Sequence, residues 1–502
     1  MDAAAAAAIA VVLHAVFRGG IPTNDSWHTL IWGRELASGL LPDYQAPFAP
    51  TPHPLQIVYA AALSPLGVAE PALQLAGVVA VGAIAVGLFR LGTRLYAWPV
   101  GLLAAVILLT RDRLLYYGAR GSVDAEALAL ILWAAVLEAG RPRRGWPVLV
   151  LLALAGLLRP ESWVFAAAYW VWLFPARDWK ARAGLAALAA SAPVLWALSD
   201  LLVTGDPLWS LHGTQGLAGA LDRRTGLAAV PDSSWRSFKA LLTPPLLIAG
   251  VGGLAAGLAL RARATLLPAA ILALQGAAFV SLAVLNLPLN QRYLLPAALV
   301  LSLLAGVAGL GWIGLPPGDR ARTVWRAAGL LTLVLIAATV ALQLPTVASV
   351  RSKILARQTI GSDLPALLET DAVQRALADC GPLVAPSNFR RPQIAYLTNR
   401  SEESVGVALV GTPLERGVYV RATTRRETTN RVNGYVPTSF KDFNRDVGPP
   451  DARVPRGYSQ LARGRFWIAY SRCQAPTAQR PTSRKADRRG EGGRRSGDAA
   501  ST

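Results

Sequence analysis

Acids that can take a proton, arginines that can hold a phosphate and imidazoles that can ligate a metal recur in five short polar segments of a strongly apolar chain. The first, PTNDSWHTLIWGRELASGLLPDYQAPFAPTPH (Pro22 to His53), carries Asp25, His28 and His53. The second, RDRLLYYGARGSVDAE (Arg111 to Glu126), carries Arg111, Arg113, Asp124 and Glu126. LRPESW (Leu158 to Trp163) sets Arg159 and Glu161 on either side of a proline. TGDPLWSLHGTQ (Thr204 to Gln215) adds Asp206 and His212, and NQRYLLP (Asn290 to Pro296) adds Arg292 and Tyr293.

Each group has a plain structural use beside a chemical one. Spacing alone makes Asp25 the N-cap of a helix over Ser26–Gly39, a role compatible with catalysis. Arg159 and Glu161 read as an interhelical ion pair closing a tight turn, or as an arginine aimed at a phosphate and oriented by its acid. Asp124 is either a first-turn acid favoured by the helix dipole or a site carboxylate. His53 and His212, with Asp25 or Glu161, are candidates for a divalent metal, though no dense motif such as HExxH is present. Walker A, dinucleotide-binding and GxSxG motifs are also missing, which argues against an NTP-driven machine or a serine hydrolase.

These segments need elements to position them. The chain has 502 residues, is 53% hydrophobic and only 16% charged, with a mean hydropathy of +0.37. Soluble chains of this length rarely combine so much apolar with so little charged residue. Apolar blocks of roughly 20 residues recur over the first two thirds, the length of a bilayer-spanning helix. They are too continuous for barrel strands, which alternate over about 10 residues. The expected fold is therefore a multi-spanning α-helical membrane protein. About eleven helices are expected, at 2–17, 71–91, 98–110, 120–138, 146–159, 162–175, 183–203, 241–260, 264–284, 293–315 and 325–345. The first run is read as a retained helix, lacking the basic start and cleavage site of a signal peptide. Two shorter amphipathic helices, Ser26–Gly39 and His53–Gly67, are expected at the interface, the first with Trp27, Leu30, Ile31 and Leu36 facing the membrane.

The net charge of +20 lies in short arginine clusters with no nucleic-acid-binding motif beside them. Clusters at 90/94, 141–144, 177–182, 261/263 and 320–326 occupy alternate loops, which should be cytoplasmic. The five polar segments then share the outer face. The N-terminus falls inside and the last domain outside. Residues 1–346 form the membrane domain with an outer loop at 18–53, and 347–475 an α/β or α+β domain outside the membrane. Residues 476–502 form a disordered basic tail. The domain's only cysteines, Cys380 and Cys473, fit either a disulfide or two independent buried thiols. An extracytoplasmic location tips the reading to the disulfide.

The pattern resembles the GT-C glycosyltransferases, the superfamily of protein O-mannosyltransferases and aminoarabinose transferases with family 39-like bacterial members. The resemblance covers about residues 1–345. It rests on the long first outer loop with early Asp25, two interfacial helices, His53-Pro-Leu where relatives often carry Lys-Pro-Pro-Leu, the Arg159-Pro-Glu161 turn and the outer C-terminal domain. It implies a polyprenyl-phosphate sugar donor, an acceptor hydroxyl on a protein, polysaccharide or glycolipid, and a single inverting displacement in the bacterial plasma membrane. Asp25 would be the base, with Arg159, Arg292 and His53 receiving the phosphate. His28, Asp124, Glu161, His212 and Tyr293 would complete the substrate site. The chain departs from the family in lacking an Asp-Glu pair in the first loop and in carrying His53 in place of lysine. A rival of another class is a non-catalytic lipid-carrier transporter or cell-envelope scaffold. It explains the spans equally well but does not need a carboxylate at the mouth of a lipid-accessible cavity.

Overall fold

In the computed structural model, which describes residues 1–408, 416–423, 454 and 456–473, helices stand at all eleven expected places. Five are long and apolar enough to cross a membrane alone: Ala69–Leu95, Trp179–Thr204, Ala262–Val284, Gln291–Gly314 and Arg320–Leu368. A sixth span arises if Leu227–Leu242 and Pro244–Leu260, which meet at 101°, are taken as one broken element. The remaining expected spans are shorter, such as Trp98–Leu109 and Trp163–Leu173. The chain is a membrane protein.

Leu295–Leu310 is the central helix, with buried residues on all its faces. It packs on Trp98–Leu109, Pro244–Leu260 and Ala262–Val284. Leucine, valine and alanine fill this core. The last long helix does not stop near Pro345, where a proline suggests an end. It continues to Leu368, and its face with Ala356, Ile360, Leu364 and Leu367 leaves the apolar bundle to enter a second core.

That second core belongs to a sheet that, among the described residues, has five strands in the order β2-β1-β3-β5-β4, with β1 Leu383–Ala385, β2 Val405–Val407, β3 Gly417–Ala422, β4 Ser459–Arg463 and β5 Trp467–Arg472. β1 pairs parallel with β2 and β3, and β5 runs antiparallel between β3 and β4. Asp363 on the long helix accepts the amides of Phe466 (2.6 Å) and Trp467 (3.1 Å), which fixes the sheet to that helix. Cys380, just before β1, is disulfide-bonded to Cys473, just after β5. The tail from 476 onward lies outside the described residues.

Candidate functional site

The first interfacial helix begins at Asn24, and its cap is Thr23, whose hydroxyl accepts the Ser26 amide at 3.0 Å. Asp25 therefore sits inside the first turn and is not the cap that spacing suggests. Its entry is fixed by Gly20 at φ +77°, where a Cβ would collide with the Ala119 carbonyl. Arg120 holds the Ile21 and Pro22 carbonyls at 3.2 and 2.9 Å. The expected membrane-facing stripe is buried instead. Trp27 and Leu30 pack on Ala60 and Leu73, Ile31 joins the sheet core, and Leu36 alone of the four is exposed.

Released from capping, Asp25 reaches across the fold. Arg292 Nη1 donates to Asp25 Oδ2 at 2.8 Å and lies 3.9 Å from Asp124 Oδ2. Asp124 pairs with Arg159 Nη2 at 2.7 Å and accepts the Ser122 hydroxyl at 2.6 Å. Arg159 Nε meets Glu161 at 3.0 Å. The result is a line of alternating charge, Asp25–Arg292–Asp124–Arg159–Glu161, drawn from four distant stretches of sequence. Both guanidinium groups lie over the Tyr293 ring, at 4.8 and 5.7 Å from its centroid. All but Asp25 line one cleft, whose inner wall adds Phe165 and Gln275. Burial pushes the Asp25 carboxyl upward, but the charge and hydrogen bond of Arg292 outweigh it and hold the group well below the usual carboxylate range.

His53 caps the second interfacial helix, Pro54–Leu63, without a side-chain bond to it, and packs edge-on against Trp196. Burial, then the nearby Arg159, pushes its imidazole down to about 3. It is neutral near pH 7 and offers a phosphate no charge. Between about 6.5 and 3 the unfolded chain binds a proton that the folded one refuses, so stability falls as pH falls through that window. His53→Gln should flatten the dependence of the thermal midpoint on pH between 6.5 and 5. It would remove a slope approaching about 1.4 kcal/mol per pH unit.

Other expected residues lie elsewhere. His212 bonds Asp206 at 2.6 Å and is half exposed, apart from the charge line. His28, one turn after Asp25, turns away from the cleft to Glu402 at 2.8 Å. The candidate metal set of Asp25, His53, His212 and Glu161 does not assemble. Asp25 and Glu161 are engaged by arginines, and among the described residues no three His, Cys, Asp or Glu side chains converge on one point. Glu126 is held by Tyr59 (2.9 Å) and Gln56 (3.1 Å), which tie the second interfacial helix to the helix Val123–Gly140. Glu402, Gln275 and Ser162 carry no signal in the sequence. Glu402 is a single polar residue whose partner His28 is distant in sequence, Gln275 is one interruption in an apolar run, and Ser162 is one small residue of the Arg159 turn.

No protein-family model matches the chain, and no curated protein sequence does. Its three-dimensional structure does find relatives. ArnT from Cupriavidus metallidurans bound to undecaprenyl phosphate superposes with a TM-score of 0.55 at 14% identity, over 93% of this chain and 97% of that one. The apo state of the same ArnT gives 0.49 with the same identity and coverage. This is a GT-C fold. ArnT is a GT-C aminoarabinose transferase, and at this identity the likeness speaks for architecture alone. Within this fold the five polar segments are linked to one another through Arg292–Asp25, Arg292–Asp124, Arg159–Asp124 and Thr51–Thr214. Elsewhere Arg90 pairs with Asp2 of the first helix, and Arg177 donates to the Arg143 carbonyl.

Proposed function

We propose that this GT-C protein is a glycosyltransferase that moves a sugar from a polyprenyl-phosphate donor to an acceptor hydroxyl by inverting displacement. The observation that carries the reading is the position of Arg292, shared between Asp25 and Asp124 at the cleft wall. The undecaprenyl phosphate bound to ArnT supports the carrier class.

In this reading the Asp25 carboxylate takes the proton of the acceptor hydroxyl as that oxygen bonds to the anomeric carbon. The bond from that carbon to the phosphate oxygen breaks on the opposite face, and its electron pair leaves with the lipid phosphate. Arg292 and Arg159 meet the departing charge. Charge counting sharpens the mechanism. Three carboxylates and two guanidinium groups leave the line one negative charge in excess, so a phosphate enters only by displacing a carboxylate. The Asp124 side chain is 2% exposed and the Asp25 side chain 26%, so Asp25 is the one able to let go. Donor binding thus takes Arg292 and frees Asp25. With burial no longer opposed by that cation, Asp25 becomes a stronger base. His53 would contribute at most a neutral N–H, and no step requires a metal.

The cleft end would face the cell exterior in the bacterial plasma membrane, with the N-terminus cytoplasmic and the C-terminal sheet domain extracytoplasmic. The disulfide and the arginine-rich loops of the opposite set support that orientation. The domain division at 346/347 becomes one within a continuous helix. The acceptor is a protein, polysaccharide or glycolipid hydroxyl.

The C-terminal domain also holds the helix that carries Asp25. Arg34 donates to the Tyr396 and Arg400 carbonyls at 3.0 and 2.8 Å, and the Trp27 ring packs at a tilt against Tyr396. Glu402→Gln should loosen this grip and lower turnover about tenfold while leaving affinity for undecaprenyl phosphate unchanged, because small misplacements of a base are costly. Steady-state kinetics beside carrier binding read the difference.

The reading itself is tested with membranes containing the chain and radiolabelled polyprenyl-phosphate sugars. Transfer above that of membranes lacking the chain is expected. No turnover with any donor would favour the transporter or scaffold.

A further inference from the structure

Two polar atoms of residues at the cleft floor have no hydrogen-bond partner among the described residues, although both residues are fully buried. They are Gln275 Oε1, on the helix Ala262–Val284, and Ser162 Oγ, at the start of Trp163–Leu173. The amide orientation of Gln275 is set by its other end, since Nε2 donates to the Tyr293 carbonyl at 2.6 Å and Oε1 is left as a pure acceptor. Ser162 is bound into the arginine turn, its amide donating to the Arg159 carbonyl at 3.0 Å. Both residues line the cleft that holds Asp124, Arg159 and Arg292.

Leaving a buried polar atom unpaired costs about 1–3 kcal/mol, and at membrane depth such residues are generally kept for function. Nothing in the fold uses these two atoms. Gln275 Oε1 needs a partner that brings an O–H or N–H donor, and the Ser162 hydroxyl one that donates or accepts. Phe165, Leu128 and Ile131 stand beside them in the apolar part of the same cleft wall. The arginines stand at the same cleft, where the phosphate of such a ligand would be held.

Resting on the donor reading above, we infer that Gln275 and Ser162 form the sugar-reading subsite, selecting a monosaccharide that presents free hydroxyl or amino groups to the cleft floor. A site that pairs buried acceptors with substrate donors rejects analogues lacking them far more strongly than an apolar pocket rejects a size change. The subsite would discriminate by the hydroxyl pattern of the sugar, while the arginines recognise every polyprenyl phosphate alike.

The test measures binding by the detergent-solubilised full chain of undecaprenyl phosphate and of its phosphate-linked glucose, mannose and arabinose derivatives. Wild type should bind at least one derivative more tightly than the bare carrier. Ser162→Ala and Gln275→Leu should each lower affinity for that derivative about tenfold, with the bare carrier unaffected. Ser162→Ala should also leave the thermal midpoint unchanged or raised, because it removes an unpaired polar atom. This separates a ligand contact from a structural one should Gln275→Leu fold poorly. Equal wild-type affinity for carrier and derivatives would show that the floor holds only water, and would overturn this inference alone. Equal losses for carrier and derivative in the variants would also overturn it. Failure of wild type to bind the bare carrier would overturn the donor reading, and the subsite with it.

Discussion

Asp25→Asn is expected to lower sugar transfer by about 10²–10⁴-fold, the usual contribution of a positioned general base, while affinity for undecaprenyl phosphate persists. Asparagine keeps the shape and still offers Arg292 an oxygen, so the 2.8 Å contact survives as a neutral hydrogen bond. What is lost is the negative charge, and with it the basicity that takes the acceptor proton. Asp25 is held ionised well below the usual carboxylate range, so in the free protein its protonation should not limit kcat/KM as pH falls from 7 to 4.5. Arg292→Met would reverse that balance. Burial, the largest influence on the carboxyl, then acts unopposed by its main cation, and the acid limb of kcat/KM should move toward neutrality. Single-turnover transfer measured across pH, with carrier binding in parallel, checks both expectations. Equal transfer by wild type and Asp25→Asn would remove Asp25 from the chemistry.

Arg159→Leu is expected to destabilise the protein by about 3–5 kcal/mol, the cost of leaving a buried charge without its partner. Arg159 serves two carboxylates at once, Asp124 at 2.7 Å and Glu161 at 3.0 Å, and all three side chains are at most 10% exposed. Replacing Asp124 as well should recover part of the loss, since Arg159→Leu with Asp124→Leu removes both members of the closer pair. The coupling, read as a double-mutant cycle in thermal or denaturant midpoints in detergent, should be of order 1–3 kcal/mol. Additive effects would mean that the charge line does not act as a unit.

The apolar helices could be read from sequence because each has the uninterrupted Leu/Val/Ala composition that only a buried or lipid-facing helix tolerates. Four of the strands were legible for a similar reason: β1, β2, β3 and β5 are apolar runs between turn residues. β4, SQLAR, was not, because its residues are largely exposed and show no apolar alternation. Extension of the last helix past Pro345 was hidden by a proline and a polar sequence whose apolar face shows only against the sheet core. Loop sidedness brought Asp25, Asp124, Arg159 and Arg292 to one end, but spacing could not assign their partners. Asp25 looked like a cap because Thr23, two residues earlier, is an equally good one. Arg292 and Glu402 lie hundreds of residues from the side chains they bind, and no local pattern encodes such a pairing.

The central claim is that Arg292 passes from Asp25 to the donor phosphate, which frees the base as the leaving group is engaged. A structure of the protein with undecaprenyl phosphate tests this most directly. The phosphate is expected within hydrogen-bond distance of the Arg292 guanidinium, with the Asp25 carboxylate no longer bonded to it and facing the cleft. A phosphate seated elsewhere, with the Asp25–Arg292 pair intact, would contradict it.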